Sequence, residues 1–419
     1  LLFRSADGGA SWSFQGSTVV RAADDGSDGQ DIGLLDKEYM AVDSNAASPF
    51  ADRIYVSWTQ YNLNFSSAPV FLAYSSDYGA TWHQTGAISG VDGTLCPNSF
   101  SNPPNPPGTC DNTSFSEPFV APNGDVYVIF DDYNNGLSDA NDNHNQILVV
   151  KSSDGGNTFG PPVKVADFNE LPDCFTYTGD DAFRACVPTA PLSARSVFRA
   201  SNYGSGAALS DTAIVVDFGS YINPHSNPTL GNCSPAGFSG ATGLNLYTGV
   251  GNVDGCNNDI LRSVSTDGGA TFTGTTTDPA HLPAVSDESA HLSDQWWQWT
   301  AANPKTGKAI DAYYDRKYGS DQSSGSMDVS AVKSNGTHVR VTDRSMPPSN
   351  EFPGSGGFST FMGDYNAVAV GSDGVIHPVW ADTRNPIFVF DPASGDARTL
   401  FDGGHGADIY AAAIHDSGR

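Results

Sequence analysis

Residues 261–272 read Leu261-Arg262-Ser263-Val264-Ser265-Thr266-Asp267-Gly268-Gly269-Ala270-Thr271-Phe272. A short apolar run that stops at Asp-Gly-Gly is a strand entering a tight turn. The carboxylate can accept backbone N–H groups, the glycines supply positive φ without steric cost, and the closing aromatic covers apolar surface. The same logic recurs at Ser5-Ala-Asp7-Gly-Gly-Ala-Ser-Trp12, Ser75-Ser-Asp77-Tyr-Gly-Ala-Thr-Trp82 and Ser152-Ser-Asp154-Gly-Gly-Asn-Thr-Phe159. The four aspartates Asp7, Asp77, Asp154 and Asp267 are separated by 70, 77 and 113 residues. Two weaker echoes, Lys333–His338 and Ile414–Gly418, stand where further copies would fall. Repeats of this period are repeated supersecondary units, and each octet reads as a structural hairpin tip, not as a catalytic group.

The surrounding composition agrees with strands and turns. Of the 419 residues only five are Glu and seven Lys, whereas Gly numbers 45, which disfavours helices. A second element alternates with the turns and ends in an aromatic followed by polar residues: Arg53–Gln60, Val126–Asp132, Ala213–Asp217, Ala312–Arg316 and His377–Arg384. Just upstream lie Asp36–Val42, Ser116–Val120, Asp294–Trp299 and Gly363–Val368. Each period therefore holds about four strands, the unit of a β-propeller. The expected fold is an all-β, six-bladed β-propeller over residues 1–419, with five or seven blades as the alternatives. Loop insertions are expected at about 85–114 and 166–258.

The net charge of -27 is spread along the chain and makes nucleic acid an improbable partner. No apolar run approaches the roughly 20 residues of a membrane helix. The six cysteines fall as Cys96 and Cys110, Cys174 and Cys186, Cys233 and Cys256 inside Gly/Pro/Asn-rich stretches. Local pairing would staple loops and place the chain in an oxidising compartment, secreted or periplasmic; buried thiols are the alternative.

The Ser-x-Asp-Gly-Gly-x-Thr-Phe/Trp copies resemble the Asp boxes, or BNR repeats, of the sialidase (neuraminidase) superfamily. The segments Gly363-Asp364-Tyr365-Asn366, Trp380-Ala-Asp382-Thr-Arg384 and Tyr314-Asp315-Arg316 resemble those of secreted bacterial sialidase-like proteins. The resemblance implies a propeller whose inner strands bring residues from several blades to one mouth. It also implies an arginine clamp, a Tyr activated by Glu, and an acid/base Asp. Arg316 and Arg384, with Arg53 or Arg199, are the candidate clamp; Tyr365 or Tyr314 with Glu117 the nucleophile pair; Asp36 or Asp294 the proton donor. Asp364 completes the candidate catalytic set. Asp315, Asp382, Trp296 and Trp297 are the remaining candidate substrate contacts, the tryptophans by stacking on sugar rings. The family's Arg-Ile-Pro does not precede the first box, which departs from the sialidase pattern.

The expected function is a glycoside hydrolase acting on extracellular glycans through paired carboxylates. The alternatives are a propeller that binds glycan or protein without catalysis, a building block of an extracellular assembly, and a sorting or adhesion module. No cofactor is required. Asp139, Asn141 and Asn143 offer alternating oxygen ligands that suit Ca²⁺, although the stretch lacks the glycine and terminal glutamate of an EF-hand loop.

Overall fold

The computed structural model describes residues 2–14, 32–98, 106–134, 143–172, 185–187, 198–226, 233–238, 245–249, 256–288, 292–318, 326–347, 362–386, 388–390, 397–399 and 405–416. Among these the chain is all-β, with one 3₁₀ turn at Pro279–His281. Five antiparallel sheets form the blades of a β-propeller. Blade I comprises Ile32–Val42, Ile54–Asn62, Val70–Ser75 and His83–Gln84. Blade II comprises Thr113–Val120, Val126–Asp132, His144–Ser152 and Val163–Asn169. Blade III comprises Gly204–Ala208, Ile214–Ser220 and Asp259–Ser265. Blade IV comprises Gln295–Asn303, Lys308–Asp315, Asp328–Val332 and His338–Arg340. Blade V comprises Ala367–Val370, Val375–Pro386 and His405–Ala411, the last continued by Ile414–His415.

Apolar side chains fill the gaps between blades. Tyr55, Val70 and Leu72 of blade I pack on Val126, Val128, Phe130 and Leu148 of blade II. Ile129, Ile147 and Val149 pack on Ile214, Val216 and Leu261 of blade III, and Ile310 and Ala312 of blade IV meet Val368 and Ile376 of blade V. Each fully buried aliphatic side chain contributes about 1.5–3 kcal/mol, so both faces of a sheet need a neighbour. Lys37 of blade I pairs with Asp364 at the entry to blade V, which joins the first and last units.

The four repeated turns share one set of bonds. In each, the serine oxygen accepts the N–H four residues on, and the aspartate accepts both the N–H and the hydroxyl of the residue four beyond itself. Three of them join the third strand of blades I, II and III to the chain beyond, and the weaker echo at Lys333–His338 is the corresponding hairpin of blade IV. The tips also grip the preceding blade: Tyr127 donates to Gly268 O at 2.8 Å and Arg53 to Gly155 O at 2.6 Å.

The expected six blades are corrected to five. The turn around Asp7 lies on a two-stranded sheet, Phe3–Arg4 with Ser13–Phe14, that no inner strand joins among the described residues. A hairpin tip reports a turn and cannot report whether the strands inside it exist.

Hydroxyl and N–H donors, Ser11, Thr81, Thr158 and Thr271 foremost, hold the four turn carboxyls at about 2, below their usual 3.8. Their folded pKa values lie below the unfolded one, so the stability they add is present above about pH 4 and is lost as pH falls toward 2. Asp154→Asn and Asp267→Asn are expected to make the fall in Tm between pH 4 and pH 2 shallower; an unchanged slope would contradict this.

Two disulfides, Cys96–Cys110 and Cys233–Cys256, close loops in the expected pairing. Cys186 is also disulfide-bonded, and Cys174 lies outside the described residues.

Candidate active site

The inner strands begin with the same irregularity. Their pairing slips between Asp36 and Tyr39, between Ser114 and Glu117, and between Trp296 and Trp299. The extra residue in each bulge is left-handed: Lys37 at φ 58°, Phe115 at φ 51° and Trp297 at φ 49°. Aligning Ala41-Val42 with Ala367-Val368 places Gly363, φ 99°, at the equivalent position of blade V. A bulky residue in this region costs of the order of 1–3 kcal/mol and persists only where packing imposes it. A β-bulge bends the strand and re-aims side chains, here toward the axis.

Lys37 shows the result. Its ammonium lies 2.5 Å from Asp364 Oδ2, 4.6 Å from the Phe115 ring centre and 5.5 Å from that of Tyr365. One cation thus ties blades I, II and V, by an ion pair and two cation–π contacts. The Tyr39 ring packs on Trp299 at 4.8 Å and on Tyr365 at 5.4 Å. Below them Phe115 stacks on Tyr203 at 4.9 Å, and Asn366 bridges the Trp297 carbonyl and the Tyr203 hydroxyl.

Carboxyl groups stand at two depths. Glu117 is buried; the Gly206 N–H donates to its Oε2 at 3.2 Å, and Ser205 also hydrogen-bonds it. Burial pushes its pKa well above the usual carboxylate range against those bonds, which favours the protonated form. Nearer solvent, Asp36 is half-buried, Glu38 is exposed and Tyr365 is 42% exposed. Burial raises the Tyr365 hydroxyl, and Asp36, Glu38 and Asp364 raise it further. The buried Tyr39 hydroxyl has no hydrogen-bond partner among the described residues, and burial, Tyr203, Glu117, Tyr365 and Asp364 all oppose its ionisation. The arrangement can supply a proton from Glu117, orient a polar ligand with the free Tyr39 hydroxyl, and stack a ring on Tyr365.

Behind Glu117, Asp131 accepts from Gly204 N and Tyr133 OH, and Glu170 accepts the N–H groups of Leu171 and Asn202, each at 2.7 Å. Burial pushes Glu170 up to about 8 from 4.5. Its folded pKa exceeds the unfolded one, so the stability it confers is complete below about pH 4.5 and lost as pH rises through 8. The loss is of the order of a few kcal/mol. Glu170→Gln is expected to flatten the decline in Tm between pH 5 and pH 9; a decline as steep as that of the unaltered protein would refute this.

Of the candidates named from the sequence, Asp36, Glu117, Asp364 and Tyr365 come together at this mouth. The others lie elsewhere. Asp294 is fully buried, accepts Asn258 N at 2.9 Å and faces Arg316 at 3.5 Å; Arg316 is itself buried 5.6 Å from the Trp296 ring centre. Asp315 accepts from Ser330, Lys317 N and Gln295. Asp382 takes the Trp380 indole and the Arg384 guanidinium at 2.6 Å. Trp296 and Trp297 are buried against Tyr314, whose hydroxyl engages the Ala381 backbone. Arg53 stacks on Tyr74 at 4.4 Å. Asp139 and Asn141 lie outside the described residues, and Asn143 is buried, donating to Leu246 O. Sequence reasoning passed over Lys37, Tyr39 and Tyr203. The alignment of Ala41-Val42 with Ala367-Val368 pairs Tyr39 with Tyr365 and was the available signal.

No protein-family model matches the chain, and no curated protein sequence matches it. Among solved structures it is similar to a GH93 α-L-arabinofuranosidase of Fusarium graminearum with arabinobiose, at 10% identity over 91% of this chain and 96% of that one, TM-score 0.42. It is also similar to the α-L-arabinanase of Penicillium chrysogenum complexed with arabinobiose, at 12% identity over 99% and 84%, TM-score 0.40. An N-acetylgalactosamine deacetylase from F. plautii, in complex with blood group B trisaccharide, is similar at 11% identity over 91% and 89%, TM-score 0.40.

Proposed function

We propose that this propeller cleaves glycosidic bonds of extracellular glycans at the mouth formed by blades I, II and V, with Glu117 as the proton donor. The observation that carries the reading is a buried carboxyl, Glu117, whose pKa burial raises, at a mouth that also holds the half-buried Asp36, the exposed Glu38 and the exposed Tyr365. Two carboxyl groups whose surroundings separate their protonation states are the requirement for acid-assisted glycoside cleavage. In this mechanism Glu117 protonates the departing glycosidic oxygen as its bond to the anomeric carbon breaks. A second carboxylate, the half-buried Asp36 or the buried Asp364, then forms the new bond itself or takes the proton of the water that does. Tyr39 directs its unshared hydroxyl at the reacting sugar, and Tyr365 stacks on it.

Sialic acid is the narrower form of this reading. Arg316 and Arg384 lie away from the mouth, so its carboxylate would be met by Lys37, which would then be shared with Asp364. Disulfides and the lack of any long apolar helix among the described residues are consistent with a secreted protein. The packing of Tyr39 between Trp299 and Tyr365 favours a second reading, a propeller that binds sugar rings without cleaving them.

A panel of neutral, uronate-containing and sialylated glycans, assayed for new reducing ends, tests the first reading. Tyr39→Phe is expected to lower turnover on the substrate found by about 10–10²-fold. Binding without cleavage across the panel would replace the catalytic reading with the second.

A further inference from the structure

On the mouth-side edge of blade III, away from Glu117, three side chains from separate loops converge. His225 follows the second strand, Asp259 begins the third, and Glu288 precedes the inner strand of blade IV. His225 Nδ1 lies 2.5 Å from Asp259 Oδ2 and 3.8 Å from Glu288 Oε1, and one ligand atom from each of the three falls within 4.8 Å of the others. Bound donors about 2.0–2.2 Å from a common ion stand some 3–4 Å apart, so a small adjustment would let them share one.

The surroundings hold these donors in place. Asn223 Oδ1 accepts the N–H of His225 and of Ser226, fixing the loop that presents the imidazole. Ser286 donates to Asp259 Oδ1, and the N–H and hydroxyl of Ser293 both donate to Glu288 Oε2. In each carboxylate one oxygen is thus oriented by the protein and the other is turned toward the imidazole, as outer-shell partners do for metal ligands.

Asn257 supplies an independent observation. It is 0% exposed; its Nδ2 donates to Asp259 Oδ1 at 3.0 Å, Glu288 Oε1 at 2.9 Å and Ser293 O at 3.4 Å, so the amide nitrogen faces the carboxylates, while its Oδ1 has no partner among the described residues. A buried amide oxygen without a donor is rare and calls for a cause. Turning the amide over would point Oδ1 at two carboxylates, an arrangement that a cation between them would favour. Two carboxylates here face a single imidazole, and its side chain is 34% exposed, which leaves a route from solvent.

We propose that His225, Asp259, Glu288 and the Asn257 amide oxygen bind one divalent transition-metal ion of the zinc or manganese type. The imidazole nitrogen disfavours Ca²⁺ and Mg²⁺, and the absence of thiolate from the set disfavours soft ions. The ion would pin the loops carrying His225 and Glu288 to blade III.

The full chain, stripped with a chelator and dialysed, is titrated calorimetrically with ZnCl₂, MnCl₂ and CaCl₂ separately. One equivalent of Zn²⁺ or Mn²⁺ is expected to bind and to raise Tm. Glu288→Gln and His225→Ala are each expected to weaken binding by about 10²-fold. His225 lies on a partly exposed loop, so its variant keeps the test open if Glu288→Gln folds poorly; near-ultraviolet circular dichroism reports folding. No saturable binding of either ion up to about 1 mM, preference for Ca²⁺, or affinity unchanged in folded His225→Ala overturns the proposal.

Discussion

Glu117→Gln is expected to lower the turnover of glycan cleavage by about 10²–10⁴-fold, with KM little changed and the fold intact. The amide has nearly the carboxyl's shape and can still accept the Gly206 N–H that now lies 3.2 Å from Oε2. Because burial favours the protonated form of Glu117, the amide replaces a group of nearly the same shape that also favours the uncharged form, and the stability change should stay within about 1 kcal/mol. What it removes is the transferable proton. The same assignment sets the pH profile: the protonated form is active, so wild-type activity should fall as pH rises through the raised pKa of Glu117. In Glu117→Gln that alkaline limb should be absent from the residual activity. A variant with undiminished turnover, or with the wild-type limb intact, would remove Glu117 from the chemistry. Asp364→Asn is a weaker instrument, because it also breaks the ion pair to Lys37 that joins blades I and V.

The turns were legible in the sequence because they are local. Ser, Asp, Gly and Thr at fixed offsets satisfy one another's donors and acceptors within eight residues, so the letters determine the hydrogen bonds. The ring was half legible. Recurrence of inner-strand segments pointed to Asp36, Glu117, Asp364 and Tyr365, which do converge. Asp294 and Arg316 fit the same recurrence yet face each other in a buried pair. The difference is one of position: the bulge of blade IV falls between Trp296 and Trp299, after Asp294, and Arg316 lies past the end of the next strand, so neither shares the register that the bulge sets for Tyr39 and Glu117. Left-handed Lys37, Phe115 and Trp297 carry no letter that announces such a turn, since glycine, the usual signal, occurs there only at Gly363. Tyr39 and Lys37 therefore escaped a reading that looked for carboxylates and arginines.

Arg262→Ala is expected to destabilise the protein by about 3–5 kcal/mol, the largest stability effect of any single surface-reaching side chain named here. Arg262, on the third strand of blade III, makes a two-pronged bond to Asp217 at 2.8 and 2.7 Å and reaches Asp311 of blade IV at 2.8 Å. Thr300 lies 2.9 Å from both aspartates, which are 0% and 1% exposed. Burial raises Asp217, but the guanidinium overcomes it and the net direction is down; Asp311 goes up, through burial and its neighbour Asp217. The guanidinium therefore favours the charged form of Asp217, while burial and that neighbouring charge favour the protonated form of Asp311. Truncating the arginine leaves a buried carboxylate with no counter-ion in a low-dielectric seam, so that group must take up a proton or admit water. Urea denaturation of Arg262→Ala, Asp217→Asn and the double variant separates this from simple loss of packing. If the uncompensated charge is the cause, Arg262→Ala should cost much less when Asp217 is already Asn, giving a coupling of at least about 1–2 kcal/mol. Additive costs would mean that the arginine acts through its aliphatic stem and not through its charge.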